Sequence, residues 1–220
     1  MTDRVGTMIE AVKRLSEKEA FLFDMDGLIF DSEQTFMEQL ALVMKEADYT
    51  LTREIYLETL GLGGAPLVKK MCSYFGTDYP FEEMSRKTSE RVRVISETVG
   101  FQVKKGIRET LAYLKDKGKK TAVASTTNSK LVKKYLTDAE LLSFFDVIVG
   151  GEEIARSKPE PDIFIRAMEL LKTTPKTSVV LEDSENGVLA GFKAGCEVIC
   201  VPDLKYPEEE ICKLVRVLVC

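Results

Sequence analysis

The sequence predicts an α/β fold, a doubly wound parallel β-sheet with a block of helices inserted after its first strand. Two observations support this prediction. Short apolar runs alternate with amphipathic helical segments through the second half of the chain, as in parallel crossovers. A long segment with only helical spacing separates the first apolar run from that repeat. Ligands of such sheets bind beyond the carboxyl ends of the strands, so these ends are where function is expected.

The first strand ends on an acidic tip. The apolar run Ala20 to Phe23 is followed by Asp24, Asp26 and Gly27. Two carboxylates this close repel each other, so one must hold a proton or a cation must lie between them. Aspartate is also an ordinary helix N-cap or turn residue at a strand end. Taken alone, the motif leaves both interpretations open.

Helical periodicity predicts the segments on either side of this strand. Residues 2–18 carry apolar residues at a helical period and are predicted to form an appended helix without a chemical role. Residues 34–103 show the same period, no convincing strand, and glycine-proline breaks, which predicts an inserted domain of about four helices. Residues 1–33 and 104–220 then form the core domain.

Beyond Gly106 the chain alternates between helices and strands. The predicted helices are Ile107 to Lys117, Ser129 to Leu142, Pro161 to Leu171 and Asn186 to Ala194. The strands predicted to follow them are Thr121 to Ala124, Phe145 to Val149, Ser178 to Leu181 and Cys196 to Val201. Crossovers of this kind place all the strands in one parallel sheet.

Polar residues follow several of these strands. Ser125 to Asn128 bring hydroxyls to a helix N-terminus, which favours either an anion cradle or plain N-capping. Glu182 and Asp183 form a second acidic tip, although Asp183 can equally cap the next helix. Lys158 is held between a serine and a proline, where a lysine is usually a solvated surface charge.

Taken together, these tips match the needs of phosphoryl transfer. Carboxylates from Asp24 and Asp183, with a backbone carbonyl, make an oxygen site suited to Mg2+. Ser125 and Lys158 can then neutralise the remaining phosphate oxygens.

Composition excludes several other functions. The net charge of −5 argues against partners such as nucleic acid or an anionic membrane surface. No apolar stretch approaches the roughly 18 residues of a membrane span, and no signal-peptide pattern is present, so we expect a cytoplasmic protein. The five cysteines form no C-x-x-C pair, which favours reduced and mostly buried thiols. The sequence has no histidine, so neither a Ser-His-Asp triad nor a His-ligated zinc site is possible.

Four segments, in order, resemble the motifs of the haloacid dehalogenase superfamily. They are closest to its branch of β-phosphoglucomutase and small phosphatases with an α-helical cap. The segments are Asp24 to Glu33, Val123 to Thr127, Ser157 to Phe164 and Leu181 to Gly187. The resemblance spans nearly the whole chain and implies a Rossmann-like core with an inserted helical cap. Members usually continue into a closing helix after a run such as Leu214 to Cys220, so we expect a few further residues.

The resemblance also implies the catalytic roles. Asp24 would be the nucleophile that forms an aspartyl-phosphate, while Asp26 would protonate the leaving oxygen and then activate water. The residues implied to hold the phosphate are Ser125, Thr126 and Lys158. Those implied to bind Mg2+ are Asp24, Asp26 through its carbonyl and Asp183, with Glu182 either as a ligand or beside them. A carboxylate nucleophile is ionised at neutral pH, which agrees with the absence of histidine.

The leading hypothesis is a Mg2+-dependent phosphatase acting on a small phosphorylated metabolite such as a sugar phosphate. The family's mutases place a histidine in the first cap-linker helix and an arginine in the cap's substrate loop. Here Phe36 stands at about the first position, and the loop Gly61 to Pro66 has no arginine. A mutase of the β-phosphoglucomutase type is therefore the alternative, and an inactive binding module is the alternative of another class. Dehalogenation would leave Asp26 without a purpose, and the sequence does not give the oligomeric state.

Overall fold

The computed structural model describes residues 2–220 and shows a parallel β-sheet with flanking helices, which confirms the predicted α/β fold class. The strands are β1 (Asp3–Val5), β2 (Ala20–Phe23), β3 (Lys120–Ala124), β4 (Val147–Val149), β5 (Ser178–Glu182), β6 (Glu197–Cys200) and β7 (Val217–Val219). The helices are α1 (Met8–Arg14), α2 (Ser32–Lys45), α3 (Arg53–Leu57), α4 (Gly64–Phe75), α5 (Phe81–Thr98), α6 (Ile107–Asp116), α7 (Ser129–Asp138), α8 (Asp162–Leu171), α9 (Glu185–Lys193) and α10 (Glu209–Cys212).

The strand order of the sheet reverses beside β2. Across the described residues the order is β1-β7-β6-β5-β2-β3-β4, and every neighbouring pair is parallel. Phe23 at the end of β2 is in register with Val123 of β3 on one side and with Leu181 of β5 on the other. The residues that follow these three strands therefore emerge next to one another at one edge of the sheet, where ligands of doubly wound folds bind.

The core beneath this edge is apolar and closely packed. Leu22 of β2 and Val180 of β5 are fully buried and belong to one cluster with Phe164 of α8. Every residue of β2 and of its neighbour β5 is buried, as expected for a parallel sheet covered by helices on both faces. Burial of these side chains fixes the strands that carry the polar tips.

By its internal contacts the chain divides into two compact units. One comprises the residues up to Asp31 together with Gln102–Cys220, and the other is Ser32–Phe101. Within residues 32–101, which the structure describes completely, four helices surround a core of their own. The rings of Tyr49, Phe75 and Tyr79 pack there, and the centroid of Tyr49 lies 5.9 Å from that of Phe75 and 5.2 Å from that of Tyr79.

The predicted N-terminal helix over residues 2–18 is wrong at its start. Residues Asp3–Val5 form β1, which pairs in parallel with β7 at the edge of the sheet. The helix begins only at Met8, after Thr7 has capped it by accepting a hydrogen bond from the Glu10 N–H at 3.3 Å. The strand depends on a partner near the other end of the chain, which local periodicity cannot reveal.

Helix α7 is shorter than predicted. It ends at Asp138 instead of Leu142, and Leu142–Phe144 form a separate 3-10 turn. Conversely, the helical spacing of apolar residues over Val92 to Val99 predicts a helix that proves to be the end of the longer α5, which begins at Phe81. Apolar periodicity located both helices, but their ends depend on packing and capping.

The cysteine prediction is confirmed for two residues. Cys196 and Cys200 lie in the apolar core as free thiols.

Among the described residues, no helix combines the length and apolar composition required to cross a lipid bilayer.

We expect Leu22→Ala to lower the free energy of unfolding by about 2–5 kcal/mol, because it leaves a cavity in a layer that cannot collapse. Leu131→Ala is the matched control, since Leu131 is 45% exposed on α7 and should change stability by less than about 0.5 kcal/mol. Chemical denaturation measures both changes. Equal effects of the two substitutions would contradict the assignment of this core.

Candidate active site

Asp24 lies directly beyond β2, the strand at which the sheet order reverses. Its backbone N–H donates to the carbonyl of Leu181 at 3.0 Å, which fixes the tip of β2 against β5. The side chain is largely buried, and its Oδ1 accepts a hydrogen bond from the ammonium of Lys158. The fold therefore holds this carboxylate in one position and keeps most water away from it.

Lys158 is a buried cation, so the interpretation as a solvated surface charge is wrong. Its side chain is 8% exposed, and its ammonium lies 5.1 Å from the centroid of the Phe164 ring. Besides Asp24, the ammonium donates to Glu182 Oε1 at 2.6 Å and to the carbonyl of Ala124 at 3.2 Å. The three N–H donors of one lysine thus connect the tips of β2, β5 and β3.

Glu182 is the fully buried partner of Lys158. Its other oxygen, Oε2, accepts hydrogen bonds from the backbone N–H groups of Asp183 and Ser184 at 3.1 and 3.2 Å and from the Ser184 hydroxyl at 3.0 Å. The carboxylate packs directly against Gly187, where an added Cβ would lie 1.8 Å from Glu182 Cδ. Glu182 therefore joins the start of α9 to Lys158.

Asp183 completes an acidic group that can hold a metal ion. One oxygen from each of Asp24, Glu182 and Asp183 lies within 4.8 Å of the others. Carboxylate oxygens are the ligands that Mg2+ prefers, so the residues present fit this ion. Both oxygens of Glu182 already accept hydrogen bonds, so Asp24 and Asp183 have the greater capacity to bind it.

The carboxylates at this edge outnumber the cations. Burial raises the pKa of Asp24 to about 8; Lys158 opposes this shift, while Glu182 and Asp26 add to it. Burial also raises the pKa of Asp183 well above its usual range, with the charges of Glu182 and Asp24 adding. For Lys158 burial favours the neutral amine, but the charges of Asp24 and Glu182 outweigh it and raise its pKa. A bound cation would let the carboxylates ionise together.

Asp26 faces the hydroxyl groups that follow β3. Its Oδ2 accepts hydrogen bonds from Thr127 Oγ1 at 3.0 Å and from Ser125 Oγ at 3.3 Å. Ser125 Oγ in turn accepts from the Thr127 N–H at 3.0 Å. Ser125 is buried, whereas Thr126 is exposed and its carbonyl packs against Gly151. The structure brings Ser125 and Asp26 together and adds Thr127, which the sequence reasoning did not select although it lies two residues after Ser125.

Capping accounts for other residues at these tips. Asn128 accepts a hydrogen bond from the Lys130 N–H at 3.1 Å and caps α7. At the start of α9 the cap is Ser184, which accepts from the Gly187 N–H at 3.1 Å, so Asp183 is not the capping residue. The Asp183 carboxylate is therefore not used as a helix cap and is available to the acidic group.

Asp203, which the sequence reasoning missed, also reaches this edge. It follows β6, and its Oδ1 accepts a hydrogen bond from the ammonium of Lys104. The signal that could have found it was an acidic residue shortly after a further parallel strand.

We expect Gly187→Ala to destabilise the protein by about 1–3 kcal/mol, because the new methyl group overlaps the Glu182 carboxylate. Gly63→Ala is the control, since nothing lies within 4 Å of a Cβ there and the backbone φ is −135°. Thermal or chemical denaturation measures the difference. A tolerated Gly187→Ala would mean that Glu182 is free to move.

Without metal, we expect the protein to lose stability as the pH rises from about 5 to 8. The pKa of Asp24 rises on folding from 3.8 to about 8, so throughout this window the folded state holds a proton that the unfolded state has already released. Melting temperatures in EDTA should therefore fall with pH, and less steeply for Asp24→Asn. Parallel curves for the two proteins would show that Asp24 does not retain the proton.

Comparisons with known proteins identify the family of the chain. The sequence profile of haloacid dehalogenase-like hydrolases matches residues 21–201. The chain is 32% identical over 184 residues to the phosphorylated carbohydrates phosphatase of Thermotoga maritima, covering 82% of this chain and 83% of the relative. It is 31% identical over 186 residues to hexitol phosphatase B of Escherichia coli, covering 83% of each.

Among solved structures, CbbY from Rhodobacter sphaeroides in complex with phosphate matches with a TM-score of 0.71 and 28% identity, covering 92% of this chain and 93% of that one. The profile spans most of the chain, and both relatives exceed 30% identity over four-fifths of it. The resemblance carried by the four motifs is therefore confirmed, and the chain belongs to the haloacid dehalogenase-like hydrolase family.

Proposed function

We propose that the chain is a Mg2+-dependent phosphatase that hydrolyses a small phosphorylated metabolite, with sugar and polyol phosphates as the substrate class. The observation that carries the proposal is the buried Asp24 carboxylate, in hydrogen-bond contact with Lys158 at the tip of β2. The names of the relatives, a phosphatase of phosphorylated carbohydrates and a hexitol phosphatase, support the substrate class.

In the first step an oxygen of Asp24 attacks phosphorus. A new P–O bond forms to Asp24, and the bond from phosphorus to the substrate oxygen breaks. Asp26 gives its proton to that oxygen, so the metabolite leaves as a neutral alcohol. Because the nucleophile is a carboxylate, no histidine is needed to activate it.

The phosphoryl oxygens require positive partners during this transfer. Lys158 is desolvated and has a fixed direction, since Glu182 and the Ala124 carbonyl hold its ammonium. Ser125, through its hydroxyl, and Thr126, which also precedes α7, would donate further hydrogen bonds to the phosphoryl oxygens. Donors positioned in advance stabilise developing charge without reorganisation.

In the second step Asp26 acts as a base. It accepts a proton from water as the water oxygen attacks phosphorus, which releases inorganic phosphate and restores Asp24. The hydrogen bond from the Thr127 hydroxyl holds Asp26 Oδ2 and so orients the carboxyl group in both steps, also while the Ser125 hydroxyl donates to the phosphoryl group. Asp26 thus gives up a proton in the first step and takes one back in the second.

Asp24, Asp183 and the carbonyl of Asp26 would hold the Mg2+, and Glu182 would hold Lys158 instead of binding metal directly. The ion supplies positive charge that polarises the phosphoryl group and offsets the repulsion among the carboxylates. The short separation of the carboxylate oxygens supports this assignment.

The test is release of inorganic phosphate from a panel of sugar, polyol and nucleoside monophosphates, with Mg2+ and with EDTA. We expect turnover of at least one sugar or polyol phosphate that EDTA abolishes and that Asp24→Asn lowers by roughly 1,000-fold or more. Asp138→Asn is the control, because Asp138 is an exposed carboxylate on α7 that forms a surface ion pair with Lys134.

Other results would select the alternatives. Conversion of a hexose 1-phosphate to the 6-phosphate without free phosphate would indicate a mutase. Binding of sugar phosphates with no turnover across the panel would indicate a binding module. Phosphate release that survives Asp24→Asn would exclude the proposed nucleophile.

A further inference from the structure

The loop after β6 brings another carboxylate to the metal-binding edge. β6 pairs with β5, and the N–H of Val201 donates to the carbonyl of Glu182 at 2.8 Å. The chain therefore leaves β6 beside the acidic tip of β5. Asp203 lies two residues further on in this loop.

One oxygen of Asp203 is buried without a protein donor. The side chain is 10% exposed, and Lys104 donates to Oδ1. Within residues 2–220, Oδ2 has no hydrogen-bond partner. A buried carboxylate oxygen without a donor is costly, so a native structure normally supplies one as water or ligand.

This oxygen is directed toward the proposed metal site. A Cβ added to Gly27 would lie 2.4 Å from Asp183 Oδ2 and 3.2 Å from Asp203 Oδ2, so both oxygens lie on the same side of the Gly27 backbone. Gly27 directly follows Asp26, and its φ of +81° favours glycine. Asp203 is also close enough for its charge to add to the rise in the pKa of Asp183.

Lys104 fixes the orientation of Asp203. The Lys104 N–H donates to the carbonyl of Ile29 at 2.9 Å, which attaches this lysine to the loop after β2. Its ammonium then reaches Asp203 in the loop after β6. Oδ1 is thereby occupied, and Oδ2 is left facing Asp183.

We propose that Asp203 is a positioning residue of the metal site, and that its Oδ2 accepts hydrogen bonds from water molecules bound to a divalent cation held by Asp24 and Asp183. The inference rests on the metal site of the proposed function. Mg2+ keeps several of its waters when proteins bind it. Carboxylates that accept hydrogen bonds from metal-bound groups typically contribute 10- to 100-fold to metal affinity.

The test is calorimetric titration of Mg2+ into the metal-free protein, which does not depend on turnover. We expect Asp203→Asn to weaken Mg2+ binding by about 10- to 100-fold and Asp203→Glu to recover part of the loss. Activity of Asp203→Asn should return at high Mg2+ with the KM for substrate unchanged.

Glu197→Gln is the matched control. Glu197 begins β6, at the opposite end of the strand that Asp203 follows. One of its oxygens lies 3.4 Å from Lys18, and the other is likewise buried without a hydrogen bond among the described residues. We expect this variant to bind Mg2+ within about twofold of the unsubstituted protein, since only a carboxylate beside the ion should affect its affinity.

Lys104→Met removes the ion pair but leaves the charge of Asp203 in place. This variant should therefore bind Mg2+ at least as tightly as the unsubstituted protein. Equal losses of affinity in Lys104→Met and Asp203→Asn would assign the effect to a structural ion pair and overturn the inference. So would Asp203→Asn binding Mg2+ as the unsubstituted protein does while Asp183→Asn fails to bind. If Asp183→Asn also binds normally, the metal site of the proposed function is wrong as well.

Discussion

The burial of carboxylate charge at the carboxyl ends of β2 and β5 is the constraint on which the site depends. Asp24, Glu182 and Asp183 approach one another closely, with the ammonium of Lys158 between the first two. Removing so many like charges from water is unfavourable unless cations and hydrogen bonds compensate. The parallel sheet imposes this proximity, because adjacent strands in register must end side by side.

The backbone around these charges is adapted to them. Gly187 leaves the space that the Glu182 carboxylate occupies, and the start of α9 supplies its hydrogen-bond donors. A helix N-terminus favours negative charge, so the start of α9 stabilises the Glu182 carboxylate from one side. Lys158 stabilises the same carboxylate from the other side. Packing and electrostatics therefore act on the same few atoms.

Reversal of the strand order at β2 gives Asp24 two different neighbourhoods. On the β5 side lie the acidic residues suited to a cation, with Asp203 beyond them in the loop after β6. On the β3 side lie hydroxyl groups that hold Asp26. Ion binding and proton transfer can thus be handled by separate groups on either side of Asp24. A chain without histidine can perform both tasks with carboxylates, hydroxyls and one lysine.

The sequence by itself determined the alternation of strands and helices and showed that Asp24, Ser125 and Asp183 follow strands, because periodicity and turn residues act over short distances. It left Lys158 either as a solvated surface charge or as a partner of the phosphate, and it did not select Thr127 or Asp203. Only the tertiary structure decided these points, as well as the pairing of β1 with β7. Each depends on contacts between residues far apart in the chain, whose burial and hydrogen bonding no local pattern encodes.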